Sequence, residues 1–447
     1  MNTTYYIKNF QFDNMEKIND YLRRYSDKYF NFNELQNLLM AENVSFVLSG
    51  INRLQSTLIC EAGFSYVQQS QRYVPVNNKF IKFLDNTPEE LIIEGSTLVN
   101  KSINLYNKMT ELVNPNKKGR PAKEDFVHGI MYEDGRSVLP LAMSTHLVVS
   151  MSADKLIDLF ILFTKYPLIF KSLQEDMEKL IPFKLYHNLT VAAYYNTQTD
   201  NRINDNYFKE NIKDLSLINP IYMLNSMNNV AVAALASQNE ASPDEVYNSW
   251  GPDTEANDLK ICRNVLGYGH HGINEHSRTK FAMTCSLAAY HQVIRHRLQN
   301  IRREALKDLV CGKDREYVIP KSIIYNDQFL TEFHALIDEY EDFYAKYNKK
   351  YDIQFLMQFM LNAAAIRFVV SSNIRNDNNI FKDRLCYTAQ EEIRELYLKK
   401  FKILHNTYPH LVKKYAIPPC VTTGKCKEGK LTCGHMAEVK EQYKDYI

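Results

Sequence analysis

Residues 290–308, YHQVIRHRLQNIRREALKD, set four arginines, one lysine and two histidines within nineteen positions. A guanidinium is a planar fork that pairs bidentately with carboxylates and phosphates. The residues just before this cluster, FAMTCSLAAYHQVI, are small and apolar, as in a buried element. Cations leaving a buried element need an anionic partner, so the pattern points to a phosphorylated small molecule; a solvated basic face is the competing reading. Over a helix spanning 292–303, Gln292, Arg295 and Gln299 would share a face by their i, i+3, i+7 spacing. A second candidate lies upstream in FSYVQQSQRYV, residues 64–74, where hydroxyl, amide and guanidinium groups precede Pro75. Alone it reads as an ordinary turn. A third is the tail PPCVTTGKCKEGKLTCGHM, within the Cys-rich stretch 418–435. Cys420, Cys426, Cys433 and His435 could make a tetrahedral zinc site, with free thiols or a local disulfide as alternatives.

The elements that must position these groups are bounded by length and composition. A chain of 447 residues points to two domains of about 200 residues each. Hydrophobic residues at 45% and charged residues at 24% describe a globular chain. A net charge of +2 carries no global nucleic-acid or membrane signature, so neither partner is expected. No apolar run nears the roughly 20 residues of a membrane helix. The opening MNTTYYIKNFQFDN has no basic leader followed by an apolar core. With eight dilute cysteines, the expectation is a reducing, cytoplasmic setting. The polar, Asn- and Asp-rich stretch 196–215 reads as a linker. Before it, 139–152 is a β-like run that flows into the helical ADKLIDLFILFTK. After it, PDTEANDLKICRNVLGYG turns helical, SRTKFAMTCSLAAYHQVIRHR runs from strand to helix, and NNIFKDRLCYTAQEEIRELYLKKFKILHN reads as one long amphipathic helix. The class is α+β with helices dominating.

GYGHHGINEHSRTKFAMTCSLAAYHQVIRHR resembles the flavin-dependent thymidylate synthase family. Members carry His-x-x-x-x-Glu-His, then Gln-x-x-Arg-His-Arg, then Ser-x-Asn-x-x-Ser-x-Arg-Tyr. His270, Glu275, His276, Gln292, Arg295, His296 and Arg297 match, whereas Asn300, Arg302, Ala305, Lys307 and Asp308 fill the later positions. Upstream, Ser65, Ser70, Arg72 and Tyr73 supply that later half, while Cys60, Glu61 and Ala62 replace Arg-His-Arg. Cys60 stands 235 residues before Arg295, as Phe46 does before Phe281. Further on the spacing is 221: the first copy keeps Arg136 where the second has Met357. The second keeps Asn373, Arg375, Asn379 and Arg384 where the first has Ser152, Asp154, Asp158 and Phe163. AQEEIRE after Arg384 is a further likeness.

The resemblance implies two tandem copies of the family fold, a mixed sheet with long helices, as repeats 1–215 and 216–447. The first would keep the nucleotide loop and the second the flavin motif. It implies FAD-dependent reductive methylation of dUMP to dTMP, with methylene-tetrahydrofolate and NADPH as co-substrates. C5 modification such as hydroxymethylation of another pyrimidine nucleotide, or binding without turnover, are the rival outcomes. Gln292, Arg295, Gln68, Gln69, Ser70, Gln71, Arg72, Arg136 and Arg384 would bind substrate, with Arg384 catalytic. His270, Arg295, His296, Arg297, Gln68, Asn373, Arg375 and Asn379 would bind FAD. Gln68 stands where the family has Glu. Cys285 and Cys386 match no nucleophile and read as core thiols. Family sites lie between subunits of a tetramer, so a homodimer would mimic it. Replacing Arg72 or Arg384 should abolish turnover, and Phe163→Arg should change little.

Overall fold

The computed structural model describes residues 6–24, 32–117, 119–197, 219–223, 226–236, 240–249, 253–312, 315–412, 416–429 and 432–446. It divides into two compact units, 1–203 with 305–364, and 204–304 with 365–447. Each unit is built on one four-stranded sheet. The first has β1 (Ile7–Phe12), β2 (Asn43–Asn52), β3 (Ser65–Gln68) and β4 (Ser144–Ser152), in the order β1-β2-β4-β3. The second has β5 (Asn219–Met223), β6 (Thr279–Ser286), β7 (Asn300–Arg303) and β8 (Ala365–Ser372), in the order β5-β6-β8-β7. The register of β3 on β4 matches that of β7 on β8: Ser65 faces Ser150 in one sheet and Asn300 faces Ser371 in the other. Those are the partners that spacings of 235 and 221 require. The tandem α+β architecture therefore holds, with antiparallel pairing among the described strands in place of a mixed sheet.

The helices that matter for the site are α1 (Arg53–Glu61), α2 (Glu89–Met109), α3 (Leu156–Lys165), α4 (Pro167–Leu180), α5 (Leu287–Val293), α6 (Asp327–Tyr347), α7 (Ile374–Arg384) and α8 (Glu391–Thr407). In β4, Leu147, Val149 and Met151 point to the core while His146, Val148 and Ser150 face out, the period-two pattern of a half-buried strand. In β6 nearly every residue is buried, so α5, which follows it, starts from inside the protein.

Residues 305–364 belong to the second repeat in sequence yet pack within the first unit. There α2 and α6, each of 21 residues and starting 238 positions apart, lie antiparallel. Ser102 and Tyr340, which are matching positions, hydrogen bond to each other at 2.9 Å. Glu94 pairs with Lys346 at 2.5 Å and Lys108 with Glu332 at 2.9 Å, one contact made twice with the roles exchanged. Beyond the helices, Leu141 N donates to Met360 O and Asn362 N to Leu139 O, both at 2.9 Å, again between matching residues. Such reciprocity is the mark of an isologous, two-fold contact. Here a single chain makes it with itself.

Several local expectations change. The Arg-His-Arg segment is not helical: α5 stops at Val293, and residues 300–303 join the sheet beside β8. The i, i+3, i+7 face therefore does not form. The long C-terminal helix is two helices separated by residues 385–390, where Gln390 makes a tertiary hydrogen bond described below. Phe163 is 2% exposed and packs against Phe160 and Phe170 at ring distances of 5.3 and 5.6 Å. An arginine there would bury an unpaired charge, so the expectation of a silent Phe163→Arg fails. Of the linker 196–215, Asn196 and Thr197 close a helix (Phe183–Thr197), and the rest, with the 215/216 boundary, lies outside the described residues.

Candidate active site

In the second unit, the turn after α5 meets the C-terminal end of α7. Arg384 donates from Nε to His296 Nε2 at 2.9 Å and from Nη2 to the Gln292 carbonyl at 3.0 Å. Arginine has no acceptor, so His296 must accept at Nε2 and carry its proton on Nδ1. Burial, with the cations of Arg384, Arg295 and Lys400 nearby, pushes its pKa down to about 3, against a smaller opposing pull from Asp383. The imidazole is thus a neutral acceptor that fixes the guanidinium.

Behind this pair stands a row of buried amides. Gln292 Nε2 donates to Gln390 Oε1 at 2.5 Å, while Gln292 Oε1 is buried with no hydrogen-bond partner among the described residues. A buried, unmatched carbonyl costs about 1–3 kcal/mol, which a ligand N–H would recover. Glu392 accepts from Ser286 N and Oγ at 2.7 and 2.6 Å, joining the first turn of α8 to the N-cap of α5. The bond to Gln390 ties the break between α7 and α8 to α5. Underneath, Lys400 and Asp377 form a fully buried ion pair at 2.7 Å, with Thr279 Oγ1 also donating to Asp377 and Lys400 lying 5.1 Å from the Phe281 ring centroid. The sequence carried no signal for Asp377 or Lys400, since each looks like an ordinary helix-surface charge.

Around the pair lies a polar rim. Asn373 caps α7 by accepting from Asn376 N, Asn376 Nδ2 holds the Leu298 carbonyl, and Arg375 pairs with Glu275. Arg375 and Asn379 share the exposed side of α7, and His270, Arg295 and Arg297 are exposed on the loops. This donor-rich, cationic rim suits a ligand carrying phosphate, as a flavin dinucleotide does. The residues predicted for flavin other than Gln68 therefore belong to one unit, as do Gln292 and Arg384.

The other predicted substrate residues belong to the first unit. Gln68 closes β3 and donates to Ser56 Oγ at 2.7 Å; the Gln69 carbonyl accepts from Arg53 at 3.5 Å. Ser70 Oγ accepts from Arg72 N at 3.2 Å, shaping the turn. Arg72 Nε donates to Glu133 Oε2 at 2.5 Å. Arg136 is buried and donates from Nε to the Glu133 carbonyl. Both amide atoms of Gln71 are buried with no partner among the described residues. Glu133 joins this set, through its carboxylate to Arg72 and its backbone carbonyl to Arg136, and was missed although it stands three residues before Arg136. At the positions matching the flavin motif, Ser152 bonds Asp154 at 2.6 Å, and Asp158 pairs with Lys155 at 3.0 Å.

The predicted zinc set is not assembled: among the described residues no group of three or more His, Cys, Asp or Glu is arranged to hold a metal ion. Cys420 is buried in a short turn of helix, whereas His435 engages Glu438 and the Tyr387 ring. All eight cysteines are free thiols, and Cys285 and Cys386 are buried as expected of core thiols. Burial pushes Cys285 up in pKa, away from nucleophilic use.

Residues 33–167 and 221–410 match the family of the thymidylate synthase complementing protein. The chain belongs to that family. The two matched stretches correspond to the two repeats. A flavin-dependent thymidylate synthase of Thermococcus kodakarensis is 33% identical over 175 residues, 37% of this chain and 71% of the relative. Those of Geobacter sulfurreducens and Pyrococcus horikoshii are 29% and 28% identical, covering 40% and 52% of this chain and 78% and 98% of each relative. About half of this chain thus accounts for most of each relative, as a tandem requires. Among the described residues, no helix is long and apolar enough to cross a membrane.

Proposed function

We propose that the chain catalyses FAD-dependent reductive methylation of dUMP to dTMP, with methylene-tetrahydrofolate as one-carbon donor and NADPH as reductant. The observation that carries this reading is Arg384, held by neutral His296 and the Gln292 carbonyl beside a buried amide acceptor. A fixed cation so placed stabilises negative charge developing on a pyrimidine ring, and needs no reorganisation to do so. Gln292 Oε1 accepts a ring N–H, and Gln390 keeps the amide from turning. Asn373, Arg375, Asn379, His270, Arg295 and Arg297 would hold the flavin, which supplies the hydride and relays the one-carbon unit. Ser70, Gln71, Arg72 and Arg136 hold the sugar-phosphate end of the nucleotide. No cysteine is used as a nucleophile on the ring. The functional assembly is a homodimer in a cytoplasmic setting.

The test is release of tritium from 5-labelled dUMP by purified, FAD-loaded protein. Turnover of dUMP in preference to dCMP is expected, and its loss in Arg384→Ala by about 10²-fold or more, the scale of a removed transition-state donor. Release from dCMP alone would redirect the reading to another pyrimidine nucleotide. Absence of any nucleotide-dependent flavin oxidation would end it. Mixing Arg72→Ala with Arg384→Ala protein then reports which chains cooperate, because activity returns only if the two arginines act from different molecules.

A further inference from the structure

The repeats differ in one connection. Between α2 and the short helix Tyr132–Gly135 run 22 residues, whereas five join α6 to its counterpart Ile353–Met357. The extra chain is the reason the repeat spacing falls from 238 to 221. Its two flanks are tied together: Leu112 and Phe126 form an antiparallel bridge, Val127 N donates to the Glu111 carbonyl at 2.8 Å, and Lys117 pairs with Asp125 at 3.0 Å. Phe126 anchors it by packing edge-on against Tyr132 at 5.0 Å. Near its tip Gly119, at φ +85°, turns the chain and presents Arg120.

Arg120 Nη2 reaches Glu133 Oε2 at 3.2 Å, the same oxygen that accepts from Arg72. Both guanidiniums also lie near the Tyr73 ring, at 5.3 and 6.0 Å from its centroid. Their side chains are 20% and 12% exposed, so solvent screens them only in part. Arg136 adds a third guanidinium, which donates to the backbone carbonyl of Glu133. The neighbouring carboxylate, Asp134, accepts from Ser322 at 2.7 Å. Gln71, the residue before Arg72 in the chain, is 7% exposed, with donor and acceptor both unmatched among the described residues.

We propose that Arg120, delivered by an insertion that the second repeat lacks, is a phosphate-binding residue that joins Ser70, Gln71 and Arg72 around a phosphomonoester. The ligand class follows from the donors: forked guanidiniums and an amide suit a tetrahedral dianion with several acceptor oxygens. Glu133 holds both forks in place through one carboxylate oxygen. The identity of the anion as a nucleotide's phosphate rests on the function proposed above.

Isothermal titration of the full chain with dUMP, 2′-deoxyuridine and inorganic phosphate tests it, in wild type, Arg120→Ala and Arg120→Lys. In Arg120→Ala the Kd for dUMP is expected to rise about tenfold or more, and inorganic phosphate to bind correspondingly less well. Deoxyuridine should change less than about twofold, and Arg120→Lys should recover only part of the loss, since a point charge replaces a fork. A merely structural arginine would weaken dUMP and deoxyuridine alike. That result, an unchanged dUMP affinity, or a wild type that binds neither dUMP nor phosphate would overturn the proposal. The tritium assay separates the two readings. Arg120-dependent phosphate binding without turnover leaves this site standing and removes the reaction; turnover with Arg120-independent binding does the reverse.

Discussion

His296 is the residue whose chemistry departs furthest from its type. Its Nε2 accepts from Arg384, and a proton there would set two cations against each other. Its pKa near 3 lies below the ordinary 6.5 because the site disfavours the charged form, chiefly through burial. The sign follows: below pH 6.5 an unfolded chain takes up a proton that the folded chain refuses, so folding weakens as pH falls. Stability from this group is complete above about pH 6.5 and declines toward pH 3, at no more than about 1.4 kcal/mol per pH unit. Denaturant midpoints measured from pH 8 to 4 should fall faster in wild type than in His296→Gln, which keeps an acceptor but cannot titrate. Parallel curves would refute the neutral-acceptor role.

Among elements, the α2–α6 pair is the most constrained by shape. An added Cβ at Gly95 would sit 2.3 Å from Phe359 Cε1, and Phe359 is itself wedged between Phe83 and Phe343 at 5.5 and 4.8 Å. Gly95→Ala would gain roughly 1 kcal/mol of helix propensity. Overpacking a core typically costs about 1–3 kcal/mol, and a clash this deep with a ring that cannot move lies at the upper end. A net loss of stability is expected, read as a lower thermal midpoint for Gly95→Ala. An unchanged or raised midpoint would mean that the aromatic cluster yields. The charge pairs along the same helices are exposed and contribute little each; they set register more than strength.

For the whole molecule, one chain does what two copies of a single-repeat relative would do at a two-fold contact. Duplication let the copies diverge. Among the replacements for the flavin motif in the first repeat, Ser152 bonds Asp154, Asp158 pairs with Lys155, and Phe163 is core. Each chain should therefore hold one flavin. Absorbance of FAD released from a known amount of reconstituted protein checks this, with a ratio close to one expected. A ratio of two would show that the first repeat retains a flavin site.

The sequence by itself determined the repeat, the family and the sorting of motif residues between copies, because these depend on residue identity and spacing alone. Strand β4 and helix α3 were legible for a related reason: their hydrophobic periods are local. The ends of α5, the break between α7 and α8, and the antiparallel pairing were decided by hydrogen bonds between segments distant in sequence, such as Gln292 with Gln390 and Ser286 with Glu392. No local pattern encodes such a partner. The metal reading failed for the same reason, since close spacing of cysteines and a histidine does not aim their side chains at one point. Arg120 is the opposite case. In sequence it is one more cation in a polar loop, and only the folded insertion sets it on the oxygen that Arg72 already holds.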